Sequence, residues 1–264
     1  MEELSLSEIK QTEVGILDYV VNICEDNNIT YYLSYGTLIG AIRHKGFIPW
    51  DDDIDIAMPR PDYDKFIEAV KQSPNDRFNV CVPNENGFYY EFIKVFDTTT
   101  HVVEDADIKE SPNGVWIDIF PLDGLNPDDK RAHRQLLIGQ RCRVASIYNS
   151  FPHKMGTALV PIEWIFWKCC KAIGYKNILN KTLEWSQKYN YDECEIVGYA
   201  SSYPAHNKYM KKEWFQEGVQ VEFEGKYYRA PKYYHEYLTT QYGDYMQLPP
   251  EDKRITHHMK AYRK

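Results

Sequence analysis

The stretch Pro49-Trp-Asp-Asp-Asp-Ile-Asp-Ile56 sets carboxylates at alternate positions. On a strand, side chains two apart share a face, so Asp53 and Asp55 point one way while Ile54 and Ile56 point the other. Two carboxylates at that spacing repel unless a cation sits between them. Val115-Trp-Ile-Asp-Ile-Phe120 repeats the arrangement with Asp118 among four apolar residues, a costly position for an unpaired charge. A strand carrying Asp118 beside the Asp53–Asp55 strand would bring three carboxylates together. Such a set suits magnesium or manganese, and two such ions can clamp the attacking and leaving oxygens of a phosphoryl displacement. Asp51 shares the parity, but a solvated turn residue explains it equally well.

Upstream, Gly36-Thr37 opens a short helix. Glycine allows close backbone approach, and the free N–H groups of a helix start suit a donor phosphate. Arg43, about two turns in, is a candidate for the same phosphate. Aromatic candidates for a cationic headgroup or a nucleotide are Trp50, Tyr89, Tyr90 and Trp116, each of which also serves as an ordinary core or rim ring. His44 and Lys45 suit a nucleotide or simply end the helix. His257-His258 suits phosphate, an acceptor, or a solvated tail.

The elements that must hold these residues read as α+β. Ser5 and Glu8 form a capping box, opening a helix with Ile9, Ile16, Val20 and Ile23 on one side. A strand over 29–34 precedes the Gly36-Thr37 helix, and Pro61 suits the start of the next one. Strands are expected over 78–82, 88–96, 101–104 and 115–120, then helices over 135–148 and 162–187. A strand pair, 219–224 and 227–229, and a helix over 233–242 follow. The expected architecture is a mixed-sheet catalytic core over 1–125, elaborated by a mostly helical 126–264 packed against it.

The composition is that of an ordinary folded protein, 264 residues at net charge -8. No basic patch stands out, which argues against a nucleic-acid partner. The six cysteines lack CxxC spacing, and the acidic start does not read as a secretory signal, so a reduced cytoplasmic setting is expected. The apolar run Thr157 to Trp167 is too short to span a bilayer. Trp164, Ile165, Phe166 and Trp167 suit either peripheral contact with the inner membrane face or a buried helix.

Leu33-Ser-Tyr-Gly-Thr-Leu-Ile-Gly40, Arg43-His-Lys-Gly46, Pro49-Trp-Asp-Asp-Asp-Ile-Asp-Ile56 and Trp116-Ile-Asp-Ile-Phe-Pro-Leu-Asp-Gly124 resemble the LicD family of choline-phosphotransferases. Fukutin-type glycan phosphotransferases share that core. Tyr242-Gly-Asp-Tyr-Met246, Pro249-Pro250 and His257-His258 are similar to the C-terminal block of bacterial members. The resemblance implies a nucleotidyltransferase-like fold with Gly36, Thr37, Asp53, Asp55 and Asp118 as its site. It also implies transfer of phosphocholine from CDP-choline to a hydroxyl of a surface glycan or its lipid-linked precursor, of lipopolysaccharide or teichoic-acid type, releasing CMP. The same site would serve a phospho-alditol, phospho-sugar or nucleotidyl group. A silent cation- or glycan-binding module is the reading from a different class.

Overall fold

A computed structural model describes residues 2–103, 107–151, 160–200, 209–254 and 260–264. Helix α1 (Leu6–Asp26) starts as its capping box requires: Ser5 Oγ accepts from the Glu8 N–H, and the Glu8 carboxylate accepts from the Ser5 N–H at 2.9 Å. Its buried face carries Ile9, Ile16, Leu17 and Val20, which recur on one side of the helix. Glu13 falls on that same face and is fully buried.

The central sheet has seven strands. β2 (Tyr32–Leu33) pairs antiparallel with β3 (Asp55–Pro59), and β3 runs parallel to β7 (Trp116–Gly124). On the other side of β7, β5 (Ile93–Asp97) and then β4 (Phe78–Cys81) continue antiparallel. The far end of β7 pairs with β8 (Ile196–Gly198), which in turn pairs with β9 (Met210–Lys211). α2 (Tyr35–His44) and α3 (Arg60–Gln72) flank the start and end of β3. Ile54, Ile56, Ile117 and Ile119 are fully buried, so the face opposite the aspartates packs as the alternation predicts.

Buried polar contacts tie this frame together. Arg60 Nε donates to Asp123 Oδ1 at 2.7 Å, fastening the start of α3 to the end of β7. Its guanidinium also lies 4.8 Å from the centre of the Tyr63 ring. Arg143 on α4 (Lys130–Ile147) pairs with the buried Glu91 and donates to the Tyr89 carbonyl at 3.3 Å.

The C-terminal half carries α4, α5 (Val160–Ile173), α6 (Tyr175–Ser186) and α7 (Tyr234–Tyr242), and it is richer in strands than expected. β8 and β9 extend the central sheet, while β10 (Gly218–Phe223) and β11 (Lys226–Pro231) form a hairpin. A third sheet joins β1 (Glu2–Glu3), β12 (Ala261–Arg263) and β6 (Thr100–Val102), so chain start and chain end meet. Two- and three-residue strands leave no periodicity to read, because long-range pairing alone creates them.

Several expected boundaries moved. The helical stretch 162–187 breaks at Gly174, whose φ of 82° ends α5 and starts α6. Phe88, Tyr89 and Phe92 are buried without joining the ladder, so the expected strand over 88–96 begins only at Ile93. β3 begins at Asp55, which leaves Asp53 outside the strand, in the segment that leads into it. The expected strand over 101–104 ends within the described residues at Val102; residue 104 and the His257-His258 pair lie outside them.

Candidate active site

The parallel register sets Asp55 opposite Asp118, and the Asp118 N–H donates to the Ile54 carbonyl at 2.9 Å. Neighbouring residues in register share a face, so two half-buried carboxylates project together from the sheet's centre. Burial, then Asp53 and Asp118, push the Asp55 carboxyl well above the usual carboxylate range, opposed by Lys94. Burial also raises Asp118, while Lys94 and the Trp116 side chain pull it back. Asp51 is raised by burial and held lower by a hydrogen bond with Asp53. Asp51, Asp53, Asp55 and Asp118 therefore form one electrostatic group.

Lys94 was not singled out in the sequence. It lies directly across the β5–β7 ladder from Asp118, with Nζ 3.0 Å from Oδ1 and 3.3 Å from Oδ2. The same ammonium sits 4.0 Å from the Trp116 ring centre, 4.8 Å from Tyr90 and 5.7 Å from Phe92. A carboxylate and three rings around one ammonium form a strongly cation-favouring box. The signal was present in Phe92-Ile-Lys-Val-Phe96, a segment whose alternation sets a lysine between two aromatics. Of the four candidate rings, Trp116 and Tyr90 face this cation, whereas Tyr89 is fully buried.

Among the described residues, no three histidine, cysteine, aspartate or glutamate side chains form a ready-made metal-ligand set. The charge balance nevertheless suits a hard divalent cation. Four aspartates act on one another, and Lys94 is the amine set against Asp55 and Asp118. Glu13 adds a fifth carboxyl: burial and then Asp53 and Asp52 raise it well above the usual range, and neither oxygen has a hydrogen-bond partner among the described residues. Its position on the apolar face of α1, four residues after Ile9, was the clue available in the sequence.

The start of α2 abuts this group. The Asp55 N–H donates to Thr37 Oγ1 at 2.8 Å, coupling the Gly36-Thr37 turn to the head of β3. A Cβ on Gly36 would lie 2.5 Å from Asp51 Oδ2, so glycine is what lets that carboxylate approach. Tyr35 holds a φ of 44°, a strained value for a bulky residue. What holds it there comes from the distant C-terminal half. Ser34 Oγ lies 2.6 Å from the Tyr199 hydroxyl and 2.7 Å from that of Tyr237, and those two lie 2.8 Å apart. The Tyr35 N–H donates to the Tyr237 hydroxyl at 3.3 Å, and its ring packs on Tyr199 and Phe120. Gly36→Ala forces Asp51 to move. The expected result is a drop in kcat/KM of about tenfold, roughly 1.4 kcal/mol. The melting temperature should barely change, because the carboxylate end can shift; thermal melts beside initial rates check both.

Arg43 and His44 stand at the other end of α2. Arg43 donates through Nε to His44 Nε2 at 2.9 Å and through its guanidinium to the Tyr245 carbonyl at 2.9 Å. Burial and then Arg254 lower Arg43; burial and then Arg43 lower His44 and favour its neutral form. Arg254 lies 5.1 Å from the centre of the Trp50 ring and donates to the Pro249 carbonyl at 3.0 Å. Two neighbouring guanidiniums, a histidine and a tryptophan suit a phosphate-bearing nucleotide. Arg254 is a further residue that sequence spacing could not connect to Arg43.

A parallel strand pair with apposed aspartates, entered beside a glycine-led helix, defines the nucleotidyltransferase-like class. The family model described as LicD/FKTN/FKRP, nucleotidyltransferase domain, matches residues 28–154. The lipopolysaccharide cholinephosphotransferase LicD of Haemophilus influenzae is 34% identical over 98% of this chain and 98% of its own. Human ribitol 5-phosphate transferase FKRP is 45% identical over 120 residues, 44% of this chain and 22% of its own. The chain belongs to the LicD family.

Proposed function

We propose that the protein is a transferase that moves phosphocholine from CDP-choline to a hydroxyl of a surface glycan or its lipid-linked precursor, releasing CMP. The acceptor would be of lipopolysaccharide or teichoic-acid type. Support for the headgroup comes from the end-to-end similarity to a lipopolysaccharide cholinephosphotransferase. The observation that carries the chemistry is the Asp55–Asp118 pair in register, beside the Gly36-Thr37 entrance of α2.

In this reading Asp53, Asp55 and Asp118 would hold divalent cations, magnesium or manganese and two in number, with Asp118 freed from Lys94. Such ions supply Lewis-acid polarisation of the donor phosphates. The α2 N-terminus, Arg43 and Arg254 orient the pyrophosphate. The acceptor oxygen forms a bond to the phosphocholine phosphorus as the bond to the CMP oxygen breaks, and Asp118 takes the hydroxyl proton. Trp50, His44 and Arg254 suit the nucleotide, and Trp116 with Tyr90 suits the choline end.

A second reading, transfer of an alditol phosphate, has its own support in the similarity of residues shared with the human ribitol 5-phosphate transferase. Purified protein with magnesium, an acceptor glycan and one donor at a time separates the readings. CMP and a phosphocholine-bearing glycan from CDP-choline support the first. Product from CDP-ribitol alone replaces it with the second, and pyrophosphate from a nucleoside triphosphate replaces both.

A further inference from the structure

The helical layer α4–α6 lies outside the site, and its charge is opposite to that of the chain. Between Lys130 and Lys188, lysines and arginines outnumber aspartates and glutamates eleven to two, although the whole chain carries -8. Within that layer, α5 presents an apolar stripe outward. Ile162, Ile165, Phe166 and Ile173 are 65%, 56%, 42% and 53% exposed, and Cys169 continues the stripe between them. These positions recur at three and four residues, one face of a helix.

Trp167 and Cys170 point the other way and are buried. Trp167 is therefore the one aromatic of the run that the core absorbs. Trp164, 46% exposed, lies at the edge of the stripe. The Lys168 ammonium lies 5.3 Å from its ring centre and 5.1 Å from that of Trp167. Lys171, also exposed, reaches the Tyr148 carbonyl at 3.0 Å. Among the described residues, no helix is long and apolar enough to cross a membrane.

We infer that the outward stripe of α5 docks flat on an anionic phospholipid bilayer, with Ile165 and Phe166 entering the acyl boundary and the exposed Lys168 and Lys171 at its margin reaching the lipid headgroups. The stripe has the composition of an interfacial helix: aliphatics and phenylalanine on one face, tryptophan and lysine at its margin. Lysine stems extend along such a face while their ammonium groups reach anionic headgroups. A neutral surface would offer nothing to the exposed Lys168, Lys171 and Lys176, whereas Arg143, Lys181 and Lys188 already pair with Glu91, Glu184 and Asp129. The inference is independent of which phospho-group the active site transfers.

The test is flotation of the full chain with vesicles of phosphatidylglycerol and phosphatidylcholine, and with phosphatidylcholine alone. Binding should be at least about tenfold tighter to the anionic vesicles and should weaken with salt. The double variant Ile165→Ser with Phe166→Ser should lose at least about tenfold of that binding. Lys168→Glu should lose about fivefold or more. Tyr227→Ser, at a 69% exposed tyrosine on β11, should bind as the parent does. Circular dichroism unchanged in all variants shows that they fold. Failure of the parent to float, or equal flotation of the parent and the double variant, overturns the inference. So does a dimer in the absence of lipid that the same substitutions dissolve, since a second copy would then own the stripe.

Discussion

Asp55→Asn should lower turnover by about a thousandfold, near 4 kcal/mol of transition-state stabilisation, and yet leave the metal-free protein more stable than the parent. Both effects have one cause. Asp55 is apposed to Asp118, and burial with Asp53 and Asp118 as neighbours raises its carboxyl well above the ordinary range. A carboxyl raised in the folded state contributes stability below its unfolded value near 4 and loses that contribution as pH rises through the folded value. At neutral pH the charge at this position therefore works against folding. Asparagine keeps the shape and removes the charge, so the melting temperature without metal should rise. Magnesium should raise the melting temperature of the parent and do so far less in the variant. Near-normal turnover, or a variant that melts below the parent in chelator, would remove Asp55 from the assigned role.

The second large effect is expected at Lys94, and there stability falls. Lys94→Met withdraws the ammonium 3.0 Å from Asp118 Oδ1 and leaves Asp118 among Trp116, Tyr90 and the core with no amine beside it. Removing one member of such a buried pair costs about 3 kcal/mol, which in a chain of this size lowers Tm by roughly 6–12 °C. Asp118→Asn in the Lys94→Met background should recover much of that loss, giving a coupling of at least about 1.5 kcal/mol in the double-mutant cycle. Because the ammonium and a divalent cation compete for the same carboxylate, calorimetric magnesium affinity should rise in Lys94→Met even as turnover falls. Additive stability losses in the cycle, or an unchanged magnesium affinity, would reduce Lys94 to an incidental neighbour.

The acidic residues were legible because a strand's period of two is local. Ile54 and Ile56, and likewise Ile117 and Ile119, are fully buried, so the intervening Asp55 and Asp118 had to face the other side. The capping box at Ser5 and Glu8, the helix opened at Tyr35 and the hairpin of β10 and β11 were readable for the same reason. Lys94 and Glu13 had signals that went unread. Each is a charge inside an apolar period, one on a strand face and one on a helix face.

From the sequence alone came the types and phases of the chemical residues: aspartates at alternate positions, a glycine before a helix, an arginine two turns along. The tertiary structure decided which of them meet. Parallel pairing of β3 with β7 across more than sixty residues set Asp55 against Asp118, and antiparallel β5 brought Lys94 to the same carboxylate. Tyr199 and Tyr237, from the far half of the chain, fixed Ser34 at the site entrance, while Arg254 joined Arg43. Phase along a segment follows from backbone geometry within a few residues. Register between distant segments follows from the packing of the whole core, and no local pattern encodes it.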